Sequence, residues 1–355
     1  DEPTNNLDFA GLDQLESFVN GLPGAMVVVS HDRAFLDRAV DRIVELDDHA
    51  HRLTEFAGGW SAYAEARDLA RTQQYAAFEK HQRERQGLVE RARTQRQWAE
   101  QGVAKSKKRP KDPDKAQRGF FQNRTEKQAS KVRATERRLD QLERTRVDKP
   151  WEGWELRLSL TPTARSGDVV MRLDDAVVER GSFVLGPVDL EVRWQDRLAV
   201  LGPNGSGKTT LLRALLDELP LAAGTRWTGP GVVVGRMDQA RDDAGDRPVL
   251  DGLMEGTGLP LSEARSLLAK FGIGPDHLTR PANRLSPGER TRATLAGLMA
   301  QGVNCLVLDE PTNHLDVAAI EQLEHALSGF DGTLVVVSHD RWFLDALDVT
   351  HTLEL

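Results

Sequence analysis

The chain has 355 residues, of which 39% are hydrophobic and 29% are charged, and its formal net charge is −8. This length allows two or three domains with cores large enough to fold unaided, so a small stapled scaffold is excluded. No stretch approaches 18 uninterrupted apolar residues, and the sequence therefore predicts no membrane-spanning helix. The single cysteine, Cys305, lies in an apolar run and is predicted to be a buried strand residue, which fits a reducing, cytoplasmic location.

The chain contains an internal repeat. The pattern D-E-P-T-N-x-L-D occupies residues 1–8 and returns at 309–316, and V-V-V-S-H-D-R occupies 27–33 and returns at 335–341. Both pairs are offset by 308 residues, so the segment between the motifs has the same length in the two copies. We therefore predict two homologous domains, with 1–62 forming the C-terminal part of the first. Because the chain opens inside a motif, without an initiator methionine or a secretory signal, we expect it to be a fragment that lacks an N-terminal cassette segment.

A basic segment, 63–150, follows the first copy. Between Lys80 and Lys149 there are 22 Lys and Arg residues against 10 Asp and Glu, whereas the rest of the chain is acidic. A proline-free stretch predicts a helix over 64–100, and a heptad-like apolar stripe predicts another over 121–146. Prolines and dense charge between them predict a break, so we expect an antiparallel α-helical hairpin with a cationic tip.

The cations at the hairpin tip suit a phosphate backbone, and they are the predicted RNA contacts. These residues are Lys105, Lys107, Lys108, Arg109 and Lys111. Trp98, Phe120 and Phe121 near the tip are candidates for stacking on bases. The alternative is a solvated coiled coil in which these aromatic residues pack on each other. Residues 151–168 are predicted to connect the hairpin to the second copy, 169–355.

The second copy contains G-x-x-x-x-G-K-[ST] at 202–209, with an apolar run before it and a helix-forming run after it. In this context the pattern predicts a loop whose backbone N–H groups bind phosphate oxygens. Lys208 is expected to reach the β- and γ-phosphates of a nucleotide, and Thr209 to bind Mg²⁺. The predicted nucleotide-binding residues are Gly202, Pro203, Asn204, Gly205, Ser206, Gly207, Lys208, Thr209 and Thr210.

Two adjacent carboxylates end the apolar run 306–308. Asp309 is placed to hold a metal ion at the carboxyl edge of a parallel sheet. Glu310 can accept a proton from an attacking water, so it is the predicted general base. Without the upstream phosphate-binding loop, an Asp-Glu pair would be read as a solvated turn.

The sequence Leu285-Ser286-Pro287-Gly288-Glu289, about 20 residues before Asp309, resembles the signature loop of ATP-binding cassettes. Gln239 and His339 fall where those proteins have their glutamine loop and switch histidine. The resemblance implies that Gln239 contacts Mg²⁺ and the attacking water, and that His339 contacts the γ-phosphate. It also assigns metal-binding, catalytic and D-loop counterparts, which are Asp1, Glu2, His31, Leu7, Asp8, Leu315 and Asp316.

The asparagine form of the repeated motif, the two cassettes and the charged hairpin together resemble the ABC-F family. This resemblance implies an α/β P-loop ATP-binding-cassette fold, with a partial first cassette and a near-complete second one. It also implies ATP and Mg²⁺ as ligands, ATP hydrolysis, and a ribosomal partner reached through the hairpin, in translation or in antibiotic target protection. Two alternatives are the ATPase subunit of a transporter with separate membrane subunits and a DNA-associated twin-cassette ATPase.

The sequence departs from the family pattern at two places. Pro287 replaces the glycine usual in the signature loop, and no adenine-stacking aromatic is evident in 177–181, which leaves the guanidinium of Arg180 as the candidate. In this family each ATP lies between the P-loop of one cassette and the signature loop of the other. We therefore expect the chain alone to bind nucleotide but to have little turnover.

Overall fold

The computed structural model describes residues 1–47, 51–107, 115–147, 149, 165–237, 245–313 and 315–355. Its contacts divide the chain into two compact units. One unit contains both copies of the repeat, as Asp1–Ser61 and Gly153–Leu355, and the other is Ala62–Glu152. The two copies can therefore be compared within one unit.

The first copy contains two helices followed by a strand pair. Aspartates begin both helices, since the Asp8 side chain accepts a hydrogen bond from Gly11 N and the Asp32 side chain accepts one from Phe35 N. The strand pair is antiparallel. These elements are α1 (Phe9–Asn20), α2 (Arg33–Ala39), β1 (Arg42–Asp47) and β2 (Arg52–Ala57).

Two long helices, α3 (Trp60–Lys107) and α4 (Lys115–Arg144), form most of the other unit. They run antiparallel, because residues further along α3 pair with residues nearer the start of α4. The ion pair Arg85–Glu143 spans 3.3 Å, and the Thr135 hydroxyl donates to Gln95 Oε1 at 3.0 Å. Of the helices within the described residues, none combines the length and apolar character that a bilayer crossing requires.

The predicted helix limits of 64–100 and 121–146 were wrong at several ends. Helix α3 begins at Trp60, where the Asp37 carboxylate accepts a hydrogen bond from Ser61 N at 2.6 Å. It also continues past Gly102, because one glycine costs a helix only about 1 kcal/mol relative to alanine. Helix α4 begins at Lys115, six residues before the predicted start, and ends at Arg144.

The second copy has eight strands and seven α-helices within the described part of the chain. The strands are β3 (Val169–Arg180), β4 (Phe183–Arg193), β5 (Arg197–Leu201), β6 (Ala223–Thr228), β7 (Val234–Met237), β8 (Cys305–Asp309), β9 (Thr333–Val337) and β10 (His351–Glu354). The helices are α5 (Lys208–Leu215), α6 (Val249–Thr257), α7 (Leu261–Lys270), α8 (Pro275–Leu278), α9 (Pro287–Ala300), α10 (Val317–Ser328) and α11 (Arg341–Ala346).

These strands form two sheets. Among the described residues, the parallel sheet has the order β10-β5-β9-β8-β7 and the antiparallel sheet has the order β4-β3-β6. Every residue of β8 and β9 is buried, and burial raises the pKa of the Cys305 thiol to about 12. Cys305 is thus the buried strand residue that the sequence predicted. Because parallel strands end at the same edge, the loops after β5, β8 and β9 meet there.

The corresponding parts of the two copies share backbone geometry but differ in burial. Glu2 and Glu310 both have positive φ, 43° and 47°, and their N–H groups donate to Val29 O and Val337 O at 2.7 and 2.9 Å. Val337 is buried in β9, whereas Val29 is 53% exposed and lies outside any strand. The first copy therefore keeps the shape of the motif without a surrounding sheet among the described residues.

Candidate nucleotide-binding site

The loop 202–207 joins β5 to α5 and contains three glycines with positive φ. Gly202, Gly205 and Gly207 have φ values of 145°, 82° and 107°. A side chain at Gly207 would also be too close to the rest of the site, because a Cβ there would lie 2.8 Å from Phe183 Cζ. The positive φ thus favours glycine at all three positions, and at Gly207 the Phe183 ring also leaves little space for a side chain.

Lys208 begins α5 with its ammonium group turned back over the loop. Its Nζ donates to Gly202 O at 2.7 Å and to Pro203 O at 3.0 Å. Burial lowers the pKa of Lys208, although nearby carboxylates, Glu310 first among them, oppose the shift. A cation held at the mouth of a glycine loop is suited to an anionic ligand.

Ser206 provides a test of whether the loop fits a phosphate group. Its Oγ is buried and has no hydrogen-bond partner in the structure. A buried hydroxyl without a partner loses free energy, and a phosphate oxygen is an acceptor that would restore the bond. Together with Lys208 and the N-terminus of α5, Ser206 makes the loop fit an anion.

Asp309 and Glu310 lie at the carboxyl end of β8. Burial raises the pKa of Glu310 to about 7, and the Lys208 ammonium opposes that shift. His339 Nε2 lies 3.4 Å from Glu310 Oε1. Because burial lowers the pKa of His339 to about 4, the imidazole is neutral at pH 7 and this contact is not an ion pair.

The first copy contacts the predicted phosphate-binding loop of the second. Asn204 N donates to Asp8 Oδ2, and Asn204 Nδ2 donates to Asn6 O, both at 2.8 Å. The bond from Asn204 N is the main reason that the pKa of Asp8 is lowered. Phe9 meets the His339 ring edge-on at a centroid distance of 5.1 Å. The predicted D-loop residue Asp8 thus lies against the predicted P-loop.

A cavity of about 890 Å³ lies between the two copies of the repeat. It is lined by Lys208, Glu310 and His339 from the second copy and by Glu2 and His31 from the first. The two first-copy residues are also neighbours, with His31 Nε2 3.4 Å from Glu2 Oε1, which matches the distance in the second copy. The repeat therefore brings two equivalent Glu-His pairs to a single cavity.

The predicted signature loop lies apart from that cavity, since none of its residues 285–289 is among the cavity-lining residues that the structure describes. Ser286 begins α9 with a capping box, in which Glu289 N donates to Ser286 Oγ at 3.2 Å and Ser286 N donates to Glu289 Oε2 at 2.8 Å. Pro287 occupies the first helical position, where a missing N–H removes no helical bond. The departure at Pro287 is therefore compatible with the helix start.

Comparison with known proteins matches residues 185–313 to the ABC transporter family. YdiF of Bacillus subtilis is 35% identical over 100% of this chain and 51% of YdiF. Ribosome protection protein VmlR of the same organism is 33% identical over 97% of this chain and 62% of VmlR. Energy-dependent translational throttle protein EttA of Mycobacterium tuberculosis is 35% identical over 99% of this chain and 59% of EttA.

The chain resembles ABC-F proteins over nearly its whole length. The predicted α/β ATP-binding-cassette fold is confirmed, with its parallel sheet and flanking helices. The chain spans between about half and about three-fifths of the length of these curated relatives.

The fold brings most of the predicted site residues to one edge of the parallel sheet, but some of them lie outside the described residues. Gln239 lies outside the described residues, as do the hairpin-tip residues Lys108, Arg109 and Lys111. Lys105 and Lys107 belong to the last turn of α3. Asp1 is exposed and does not line the cavity, unlike its counterpart Asp309.

Phe183 is a cavity-lining residue that the sequence did not predict. It begins β4 and pairs across the β3–β4 turn with Arg180, and both residues line the cavity. Its ring lies against Gly207. The stretch 177–181 contains no aromatic residue, but the pairing of two strands across a tight turn brings the next aromatic to the same edge.

Replacing Phe183 with alanine is expected to lower ATP affinity about tenfold, because stacking on a base is worth about 1–3 kcal/mol. Phe183→Trp should retain the affinity. The measurement is a titration of each variant with ATP and with inorganic tripolyphosphate, which has no base. An equal loss for both ligands would show that Phe183 acts only by packing on the loop.

Proposed function

We propose that the chain is the ATP-binding and ATP-hydrolysing part of an ABC-F protein in which nucleotide-driven closure of the cassettes controls binding to the ribosome. The observation that carries the proposal is the shared cavity, where Lys208, Glu310 and His339 meet the first-copy residues Glu2 and His31. A ligand in that cavity touches both copies of the repeat, so its binding and loss can change how the copies contact each other.

ATP is bound through its phosphates. The Lys208 ammonium leaves its two loop carbonyls for the β- and γ-phosphate oxygens, and Ser206 Oγ gains the acceptor that it lacks. The glycine loop and the start of α5 add backbone N–H donors. Phe183 and Arg180 contact the base from the β3–β4 turn.

Mg²⁺ would be held by oxygen ligands from Thr209, Asp309 and Gln239, and it would neutralise phosphate charge. Thr209 and Asp309 line the cavity on its phosphate-loop side and its β8 side. Hydroxyl, carboxylate and amide oxygens are the donor types that Mg²⁺ prefers, so the residues fit this ion.

Hydrolysis is assigned to Glu310. Its carboxylate accepts a proton from the water that attacks the γ-phosphate, and a pKa of about 7 places the group near the operating pH of a general base. His339, neutral at this pH and 3.4 Å from Glu310, holds the γ-phosphate and orients the carboxylate. Gln239 orients the water. Glu2 and His31 have the same roles for a second nucleotide.

A complete pair of ATP sites requires more chain than these residues supply. The signature residues 285–289 do not line the cavity beside Lys208 within the described structure, and the 355 residues contain one G-x-x-x-x-G-K-[ST] pattern, at 202–209. The exposed valines of the first copy, Val27 and Val29, also indicate a missing neighbour. Val27 is 97% exposed, whereas its counterpart Val335 is buried. We propose that an N-terminal cassette segment covers these valines and completes both sites, and the complete protein is the chain together with that segment.

The ribosomal partner is supported by two relatives, which are named as a ribosome protection protein and a translational throttle protein. It is also supported by the basic hairpin, whose net cationic charge between Lys80 and Lys149 suits rRNA or tRNA. The proposed RNA contacts are Lys105, Lys107, Lys108, Arg109 and Lys111. Such a protein would act in the cytoplasm.

The test is co-sedimentation of the complete protein with ribosomes. With Glu310 and Glu2 both changed to glutamine, ATP should be bound but not hydrolysed, so the protein should be trapped on ribosomes with ATP and released with ADP. Changing the five tip cations to serine in the same background should abolish pelleting at physiological salt. Equal pelleting with ATP and ADP, or no pelleting in either, would contradict the proposal.

A further inference from the structure

Arg33 is a charged residue that the proposed site does not use, yet only 5% of its side chain is exposed. It begins α2 directly after His31 and Asp32 of the first copy. Its guanidinium group donates to both carboxylate oxygens of Glu324 on α10 of the second copy, with Nη1 3.0 Å from Oε2. The contact is therefore a buried, bidentate ion pair between the two copies.

The same guanidinium group reaches the histidine motif of the second copy. Arg33 Nη2 lies 3.6 Å from Asp340 Oδ2, and the carbon of the guanidinium lies 5.8 Å from the centre of the Trp342 ring. Asp340 is directly after His339 and begins α11, since its Oδ1 accepts a hydrogen bond from Phe343 N at 3.0 Å. Its own N–H donates to Ser338 Oγ at 3.1 Å. Asp340 thus makes hydrogen bonds to a residue before His339 and to a residue after it.

Carboxylates outnumber cations at this point. Asp340 and Glu324 face Arg33 directly, and the negative charge of Glu321 on α10 also acts on Arg33. Asp32 lies close enough to Asp340 for their two negative charges to repel each other. Burial raises the pKa of both Asp340 and Glu324, while Arg33 opposes each shift. Without the guanidinium, the buried carboxylates would repel one another across the contact between the copies.

The contact is repeated only in part by the symmetry of the sequence. The counterpart of Arg33 is Arg341, which also bridges the copies, since it pairs with Asp13 of the first copy at 3.0 Å, but its side chain is 30% exposed. The counterpart of Glu324 is Glu16, which pairs within its own copy with Arg38 at 3.4 Å. A buried arginine that bridges the copies is thus present in only one of the two equivalent positions that the structure describes.

We propose that Arg33 is a positioning residue that holds the second copy's histidine motif from the first copy, and so couples the two histidine motifs. The inference rests on the proposed function, because it assumes that His339 acts in hydrolysis. When His31 moves in response to its nucleotide, Arg33 moves with it and shifts Asp340, and therefore the orientation of His339 toward Glu310.

The test compares Arg33→Met, Arg33→Lys and Arg33→Met/Glu324→Met with Arg38→Met in the complete protein. Arg38 is the matched control, since it lies on the same helix and half of its side chain is exposed. We expect kcat for ATP to fall about 10- to 100-fold in Arg33→Met with KM changed less than about threefold, because misplacing a group costs turnover rather than binding. Arg33→Lys should recover part of the loss, and Arg38→Met should match the wild type.

The double variant addresses folding, because it leaves no unpaired buried Glu324. It should fold and still lose turnover, since Asp340 has no cation. Hydrogen exchange at the Phe343 amide should accelerate in this variant and not in Arg38→Met, and that readout does not depend on activity. Wild-type turnover in a folded double variant, or unchanged exchange at Phe343, would overturn the inference. Absence of ATPase in the wild type would instead contradict the proposed function and leave the exchange result to decide on Arg33.

Discussion

Changing Glu310 to glutamine is expected to lower kcat for ATP hydrolysis in the complete protein at least about 100-fold, because general-base catalysis typically contributes 10²- to 10⁴-fold. ATP affinity should be retained, since Lys208 and the loop are unchanged. The wild type should also show kcat/KM that rises with pH with an apparent pKa near 7. The reason is that the base acts as the carboxylate, and burial raises the pKa of Glu310 to about 7.

Steady-state phosphate release between pH 5.5 and 9 measures both effects. Glu263→Gln is the control, because Glu263 is exposed on α7 and lies away from the cavity. In Glu310→Gln the residual rate should lose the rise near pH 7. If the glutamine variant kept the wild-type rate, or kept the same pH profile at a lower rate, Glu310 would not be the base.

Changing Lys208 to alanine is expected to weaken ATP binding about 100-fold or more, because hydrogen bonds to charged groups are worth about 1.5–3 kcal/mol each and the proposed site has Lys208 bound to both the β- and the γ-phosphate. Unlike Glu310→Gln, this variant should fail at the binding step. Calorimetric titration of the 355-residue chain with ATP is sufficient, since it requires no turnover.

Lys270→Ala, at the end of α7, is the matched control for removing a lysine far from the cavity. Thermal unfolding without nucleotide should be similar in both variants, while ATP should stabilise only the control. Stabilisation of Lys208→Ala by ATP to the wild-type extent would rule out this lysine as the phosphate ligand.

The fold and the centre of the site could be predicted from the sequence because their signals are local. Glycines at 202, 205 and 207 with Lys208 predict a phosphate loop, and Asp309 ends a buried strand whose other residues, 305–308, are all apolar. The constant offset of 308 residues also predicted that Glu2 and Glu310 would be equivalent, and their backbone angles agree.

Other features depended on tertiary contacts that no local pattern encodes. Phe183 reaches the cavity only because β4 pairs with β3 and turns back over Gly207. The bridge from Arg33 to Glu324 joins residues 291 positions apart, and the repeat does not predict it because Arg341 makes a different contact. The start of α3 was missed since it depends on Asp37, a residue from the preceding helix.

The two hydrogen bonds from Lys208 to the carbonyls of Gly202 and Pro203 have a kinetic consequence. They fasten the loop in a curved shape, and the three positive-φ glycines adopt that shape without steric penalty. When a nucleotide binds, Lys208 therefore exchanges loop carbonyls for phosphate oxygens, and no flexible segment has to become ordered. Capture of the triphosphate should therefore proceed at a rate set by diffusion and charge, with the slower steps reserved for the movement of the two copies.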